Sequence, residues 1–214
     1  AEPTTRTTST PRHGIRRAFF HSGLPFPHFV FPSLRLSVSP PMPHLTLITT
    51  GGTIEKTYDE ASGSLANRRS IVRRMLSRLR LAETTISTIE LLSKDSLDMT
   101  DADRAAIVQA VRAAGGSSEL ATQSTGIVIL HGTDTLSNTG ERLFKDIASP
   151  RIPIVLTGAM RPYEMKRSDA LQNLNEAIFA AGVLPPGVYC VSHGRALAFP
   201  GVTKDREHGT FVKE

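Results

Sequence analysis

The chain has 214 residues, of which 39% are hydrophobic and 21% charged, a composition typical of a globular protein with one sizeable core. It contains no apolar run long enough to suggest a membrane span, and its single cysteine excludes an internal disulfide. The formal net charge of +5 comes largely from five arginines within residues 1–41, so it does not indicate that the remainder binds nucleic acid.

Residues 1–41 differ in composition from the rest of the chain. They are rich in Ser, Thr, Pro, Arg and Phe, show neither helical nor strand periodicity, and carry prolines that would break a helix. We predict a disordered leader here, followed by one domain over residues 42–214. An acid-poor leader rich in Arg and Ser resembles a targeting segment. The prolines and the lack of an amphipathic helix instead favour an upstream translated segment, with Met42 as the true start.

From residue 42 onward, apolar strand-like runs alternate with segments of helical periodicity. The predicted strands are residues 45–48, 85–92, 126–130, 154–156, 188–191 and 196–199, and the predicted helices are residues 71–81, 100–114, 136–147 and 169–181. Unbroken apolar strands separated by helices are typical of a parallel sheet that is covered on both faces. The predicted fold is therefore α/β, a doubly wound and mostly parallel sheet in a single domain.

Four loops directly follow predicted strands, over residues 51–67, 93–99, 131–135 and 158–168. Open α/β sheets bind their ligands outside the carboxyl ends of their strands, so we expect the functional site in the crevice that these loops form. No cluster of Cys and His has the spacing of metal ligands, and we expect Cys190 to be an inert buried thiol.

Two of these loops place threonine hydroxyls at the predicted edge. The first begins with Gly51 and Gly52, which allow a sharp turn and leave the hydroxyl of Thr53 at the end of a strand. The third contains Thr133 followed by Asp134. On sequence alone, a Gly-Gly-Thr turn is more often structural, and the Thr-Asp pair is equally suited to capping the helix that follows.

A threonine hydroxyl is a weak nucleophile and needs a base. If Lys204 reaches Thr133 while Asp134 orients it, the three side chains form a nucleophile–base–orienter set. Spacing in the sequence neither shows nor forbids this contact. We expect His131 to be a packed turn residue and residues 168–169 to cap the next helix.

Three ordered motifs carry a resemblance to a known family. Residues 50–54 (TGGTI), 131–135 (HGTDT) and 157–162 (TGAMRP) resemble those of the bacterial-type L-asparaginase (asparaginase/glutaminase) family, and residues 95–99 (DSLDM) and 202–204 (VTK) extend the match. The resemblance covers residues 45–211. It implies hydrolysis of the side-chain amide of L-asparagine, and often of glutamine, to the acid and ammonia, without a metal or an organic cofactor.

The resemblance also implies roles for individual residues. Thr53 matches the threonine that attacks the amide carbon and forms a covalent acyl-enzyme, and a neighbouring hydrogen-bonded triad matches Thr133, Asp134 and Lys204. The resemblance implies that Ser96 contacts the substrate α-carboxylate and that Asp134 contacts the α-ammonium. Backbone N–H groups around Gly52, Gly132 and Thr133 would bind the oxyanion. Tyr58 would take the place of the family's assisting tyrosine. The sequence leaves open which threonine is the primary nucleophile.

Three departures from the family pattern bear on the site. Many members carry Gln where this chain has Leu97, which cannot hydrogen-bond through its side chain. Tyr58 lies only five residues after Thr53, whereas the family tyrosine lies well along the loop. Most members also have a smaller second domain that supplies an acid to the neighbouring subunit's site. This chain resembles the short members with the N-terminal domain only.

We therefore predict an L-asparaginase that forms L-aspartate and ammonia. The alternatives are an amidase for another small amide such as L-glutamine, and a non-catalytic module that binds asparagine or aspartate. Lys204 favours an enzyme, because a pure binding module does not need it. We also expect a cytoplasmic homo-oligomer with no nucleic-acid or membrane partner.

Overall fold

One central sheet organises the domain. The computed structural model describes residues 43–117 and 124–213, and the leader predicted for residues 1–41 lies outside the described residues. The strands are β1 (His44–Gly51), β2 (Thr57–Asp59), β3 (Ser64–Ala66), β4 (Thr85–Lys94), β5 (Gly126–Leu130), β6 (Pro153–Thr157), β7 (Gly187–Ser192), β8 (Arg195–Ala198), β9 (Val202–Asp205) and β10 (Thr210–Lys213). The α-helices are α1 (Val72–Leu76), α2 (Asp101–Val111), α3 (Leu136–Asp146) and α4 (Ala170–Val183).

The central sheet has six strands in the order β4-β1-β5-β6-β7-β8. The first five are parallel, and β8 pairs antiparallel with β7. This confirms the predicted α/β fold class with a mostly parallel sheet. Two antiparallel hairpins, β2–β3 and β9–β10, are not predicted by the apolar pattern because their strands are short and only partly buried.

Alternate residues of β5 pack against opposite faces of the sheet. Ile127 and Ile129 lie in a buried cluster with side chains of α2 and α3, whereas Val128 and Leu130 lie in a second cluster with side chains of α1 and α4. Because both faces of the strand are buried, the run 126–130 shows no polar alternation. The two clusters bury both faces of the sheet, and the loops at its carboxyl edge extend from this packed core.

Two helices show how local signals translate into structure. The N-terminus of α2 has the predicted capping box, in which the Thr100 hydroxyl accepts from the Asp103 N–H at 3.3 Å and the Asp103 carboxylate accepts from the Thr100 N–H at 2.8 Å. By contrast, α1 ends at Leu76 rather than near residue 81. The hydroxyl of Ser77 donates to the Arg74 carbonyl at 2.9 Å, a local bond that competes with continued helix.

Cys190 lies in β7 and is completely buried, as expected. Burial raises the pKa of its thiol to about 12, so the thiolate is not formed near neutral pH. No helix in the part of the chain that the structure describes is long and apolar enough to cross a membrane.

Candidate active site

The loops that carry the predicted site residues touch one another at the carboxyl edge of the sheet. Gly52 donates its N–H to the Lys94 carbonyl at 2.8 Å, and a Cβ on Gly52 would lie 2.3 Å from the backbone nitrogen of Gly132. A Cβ on Gly132 would in turn lie 2.5 Å from the hydroxyl oxygen of Ser96. Gly52 also has φ +78°, which side chains rarely tolerate. Glycine is therefore required where the loops after β1, β4 and β5 meet.

The structure brings Lys204, Thr133 and Asp134 into direct contact. The Lys204 ammonium nitrogen lies 2.8 Å from the hydroxyl oxygen of Thr133 and 3.0 Å from Oδ1 of Asp134. Thr133 is only 4% exposed, while the Asp134 side chain stays partly open to solvent. The buried hydroxyl thus has a potential base at hydrogen-bond distance, and the base has a carboxylate that fixes its direction.

The β9–β10 hairpin delivers Lys204 to this edge. Lys204 faces Phe211 across the hairpin, and Phe211 and Val202 are both buried in the cluster that contains α3. The apolar anchors hold the hairpin against the domain, so the amino group reaches the start of α3, where Thr133 and Asp134 lie. This hairpin explains a contact between residues that the sequence separates widely.

A second cation, which the sequence pattern did not reveal, also contacts Asp134. The Arg206 guanidinium lies 2.9 Å from Oδ1 of Asp134, and its side chain is 69% exposed. Arg206 lies two residues after Lys204, in the turn that follows β9, and no motif or periodicity in the sequence signals its contact with Asp134.

Thr53 begins a short 3-10 turn, Thr53–Glu55, and is partly exposed to solvent. The turn is supported from within by Glu55, whose carboxylate accepts from the Gly51 N–H at 3.2 Å and from the hydroxyl of Ser70. Burial raises the pKa of the Glu55 carboxyl, although these hydrogen bonds oppose the effect. The buried Glu55 carboxyl thus stabilises the turn that carries Thr53.

A charge pair ties this turn to the loop after β4. The Lys56 ammonium lies 2.6 Å from the Asp95 carboxylate, and hydrogen bonding to Lys56 lowers the pKa of Asp95. Asp95 also accepts from the Leu97 N–H at 3.1 Å, and so it fixes the short turn that begins at Ser96. No motif in the sequence identifies this connection.

Ser96 lies beside Gly132, as the predicted site requires. Its side chain is almost completely buried, and its hydroxyl has no hydrogen-bond partner within the described residues. The neighbouring Leu97 is 68% exposed, so an apolar side chain flanks the site where many family members carry Gln. Buried hydroxyls are usually satisfied, and the unpaired Ser96 group therefore has hydrogen-bonding capacity available to a ligand or water.

The structure does not gather Tyr58 with the other predicted residues. Tyr58 lies in β2 with its side chain more than half exposed, and its N–H donates to the Glu164 carboxylate at 3.0 Å. The hairpin therefore directs the phenol towards solvent rather than into contact with the triad.

His131 is a packed turn residue, as expected. Its Nδ1 lies 2.9 Å from the Gly132 carbonyl, which can only accept, so Nδ1 carries the proton. Its Nε2 then accepts from the hydroxyl of Thr139 at 2.8 Å. Burial, together with the charge of Arg104, lowers the pKa of His131 to about 4, and the ring is neutral at pH 7.

Asp169 differs from its predicted capping role. Ser168 accepts from the Ala170 N–H, but the Asp169 side chain makes no cap hydrogen bond to α4. It instead accepts from the backbone N–H groups of Met160 and Arg161 at about 3 Å. The Asp169 carboxylate therefore fixes the loop that follows β6 rather than capping α4.

Two cavities lie at the other end of the sheet. They measure about 360 and 570 Å³ and are lined by residues around the amino ends of β1 and β4, including Pro43, His44 and Thr84. The carboxyl edge carries the stronger chemical signal, because there a lysine, a hydroxyl and a carboxylate converge. No group of His, Cys, Asp and Glu among the described residues could hold a metal ion.

Known proteins are similar to this chain in sequence and in fold. The family described as "Asparaginase, N-terminal" matches residues 44–210. An L-asparaginase of Thermococcus kodakarensis is 35% identical over 145 residues, which are 68% of this chain and 42% of that protein. A subunit of the glutamyl-tRNA(Gln) amidotransferase of Methanococcus maripaludis is 28% identical over 168 residues, which are 78% of this chain and 39% of that protein.

Solved structures agree with the sequence comparison. The thermostable L-asparaginase from Thermococcus kodakarensis superposes with a TM-score of 0.71 at 32% identity, over 79% of this chain and 51% of that chain. L-asparaginase I from Vibrio cholerae superposes with a TM-score of 0.66 at 26% identity, over 80% of this chain and 51% of that chain. The chain thus spans about two fifths of the two curated relatives and half of each solved structure.

Proposed function

The chain belongs to the asparaginase family, and we propose that it is a threonine-dependent amidohydrolase that converts L-asparagine to L-aspartate and ammonia. The observation that carries this proposal is the pair of hydrogen bonds from Lys204 to Thr133 and Asp134, at 2.8 and 3.0 Å. Together they join a hydroxyl, a base and an orienting carboxylate in one hydrogen-bonded set, which suits proton transfer at a reacting amide. A module that only binds amino acids has no need of a lysine on a buried hydroxyl.

We assign the attack on the amide carbon to Thr53. This residue is partly exposed, whereas Thr133 is buried and already bonded to Lys204. A bond forms between the Thr53 hydroxyl oxygen and the amide carbon, the C–N bond breaks, and the proton leaves with the amine as ammonia. Water then cleaves the resulting ester, which releases L-aspartate and restores the hydroxyl.

The triad serves the proton transfers of both steps. Lys204 takes part in these transfers through Thr133, the hydroxyl that its amino group contacts directly. Thr133 therefore relays protons between Lys204 and the reacting groups, while Asp134 keeps the amino group pointed at the hydroxyl. General acid–base assistance of this kind is worth about 10²–10⁴ in rate.

The remaining roles concern substrate binding. Asp134 receives the α-ammonium, the unpaired hydroxyl of Ser96 receives the α-carboxylate, and backbone N–H groups around Gly132 and Thr133 stabilise the oxyanion. The Gly52 N–H is not available for this role, because it is donated to the Lys94 carbonyl. The direct contact of the loops that carry these residues supports the assignment. Tyr58 reaches the substrate only if the β2–β3 hairpin moves towards the site, and we assign it a part in closure over bound substrate.

The relatives that are named as a subunit of glutamyl-tRNA(Gln) amidotransferase favour a second candidate function. The chain would then release ammonia from L-glutamine, with the same threonines and triad. Leu97 is exposed at the side of the site, where many family members carry Gln, and this difference suits a different substrate preference.

Ammonia release by the full chain separates these functions. We expect turnover of L-asparagine to exceed that of L-glutamine, with succinamate and propionamide as controls that lack one or both α-substituents. Faster release from L-glutamine would support the second candidate. Binding of L-aspartate without ammonia release from any amide would show a non-catalytic module. A homo-oligomer stays a prediction of the resemblance, and the particle mass in solution tests it.

A further inference from the structure

Two cations of unequal mobility share one oxygen of Asp134. Lys204 and Arg206 contact Oδ1 at 3.0 and 2.9 Å. The Lys204 side chain is 16% exposed and is also held by Thr133, whereas the Arg206 side chain is 69% exposed and lies at the turn of the β9–β10 hairpin. The lysine contact is built into the domain, and the arginine contact can open without disturbing the hairpin.

This arrangement has a consequence for ligands that carry an ammonium group. The two cations already at this carboxylate repel a third positive charge, because like charges at this distance interact unfavourably. Release of one of them from Asp134 therefore favours the proposed α-ammonium contact. Exposed ion pairs are weak, so the guanidinium is the one that leaves.

We propose that Arg206 is a specificity-determining residue whose guanidinium occupies the α-ammonium position on Asp134 when the site is empty. The inference rests on the proposed function and deepens it. Ligands with an α-ammonium bind by displacing Arg206, and ligands without one bind beside it. Arg206 thus weakens the binding of α-amino acids. It reduces the preference of the site for them over the corresponding dicarboxylates and monoamides, which lack the ammonium.

The test compares ligand binding by the full chain and its Arg206→Gln variant. Calorimetric titration with L-aspartate and with succinate measures the two dissociation constants. We expect L-aspartate to bind about two- to fivefold more tightly to the variant, because its ammonium no longer competes with an exposed ion pair. Succinate, which has no ammonium, gains nothing from the change.

The sign of the L-aspartate effect is diagnostic. L-Aspartate carries a net negative charge, so an arginine that simply attracts the ligand would make the variant bind more weakly. Arg206→Lys keeps a cation at the position and is expected to stay close to wild type. Arg195→Gln removes an exposed charge from β8 and should leave both constants unchanged.

Weaker or unchanged L-aspartate binding in Arg206→Gln would overturn the inference, and so would equal tightening of both ligands, which would indicate only a steric effect. These results would leave the proposed function standing. If wild type binds no L-aspartate and releases no ammonia from any amide, the proposed function fails, and the inference fails with it.

Discussion

The amino group of Lys204 lies 2.8 Å from the hydroxyl oxygen of Thr133, although 71 residues separate them in the chain. The β9–β10 hairpin makes this contact possible, since its buried Phe211 anchors the strand that carries Lys204. A lysine bonded to a buried hydroxyl and to a carboxylate is the feature on which the proposed chemistry depends.

Replacing Lys204 by Met keeps the length of the side chain and removes its amino group. We expect kcat for L-asparagine to fall by about 10²–10⁴, because Thr133 loses its proton acceptor, with a smaller change in KM. Steady-state ammonia release measures both. Lys213→Met is the matched control. Lys213 lies in the same hairpin as Lys204, but it donates to the Ala198 carbonyl of β8 and not to Thr133. Equal losses in the two variants would argue against a role for Lys204 in proton transfer.

Gly132→Ala tests the close approach of the loops. The new Cβ would lie 2.5 Å from the side chain of Ser96, so the loops must separate. We expect a loss of about 1–3 kcal/mol in the free energy of unfolding, as for other overpacked sites, together with strongly reduced turnover. Gly182→Ala is the control, because its Cβ meets open space at the end of α4 and should stabilise slightly. Urea unfolding compares the two, and a stable, active Gly132→Ala protein would show that the contact is not needed.

The buried His131 predicts a specific dependence of stability on pH. Its pKa falls from 6.5 to about 4 on folding, so the neutral ring stabilises the fold fully above pH 6.5, and this contribution is lost as the pH falls towards 4. The stability difference between wild type and His131→Asn should therefore shrink by roughly 2–3 kcal/mol between pH 7 and pH 4.5. Denaturant unfolding at several pH values measures it. A difference that is constant across this range would contradict the burial of a neutral ring.

The Lys56–Asp95 pair should couple the turn of Thr53 to the turn of Ser96. Both groups are partly buried and 2.6 Å apart. A double-mutant cycle with Lys56→Met and Asp95→Asn is expected to give a coupling of about 0.5–1 kcal/mol in the free energy of unfolding. The KM for L-asparagine should rise in each single variant, because the two loops lose their relative position. Strictly additive effects would mean that the pair does not join the loops.

The sequence predicts the sheet and the meeting of loops at its carboxyl edge well, for physical reasons that individual elements show. The run 126–130 is buried on both faces, so its uniform apolar pattern identifies β5 to the residue. The fold class and the contact of the loops follow from such strands. In contrast, α1 ends at Leu76, and the N–H groups of residues 78 and 79 then bond to carbonyls three residues earlier, a local tightening that periodicity does not report.

Two further polar contacts between distant segments are not predicted, unlike the contact of Lys204 with Thr133, which the resemblance implies. Arg206 contacts Asp134 where the turn of the β9–β10 hairpin meets the loop after β5, and Lys56 contacts Asp95 where the loops after β1 and β4 meet. No periodicity in the sequence encodes how these segments meet. The same holds for Asp169, whose spacing suits a helix cap but whose carboxylate binds the backbone of the loop before it. The catalytic roles of Thr53, Thr133 and Ser96 stay predictions, because they concern reactivity rather than position.

The most direct test of the central claim is the kcat for ammonia release from L-asparagine by wild type and by the variants Thr53→Ala, Thr133→Ala and Thr88→Ala. Thr88 lies within β4, away from the carboxyl edge, and serves as the control. We predict measurable turnover for wild type and Thr88→Ala, and a loss of at least about 10²-fold for each of the other two. Turnover that survives in Thr53→Ala and in Thr133→Ala at the level of Thr88→Ala would contradict a threonine-dependent amidohydrolase.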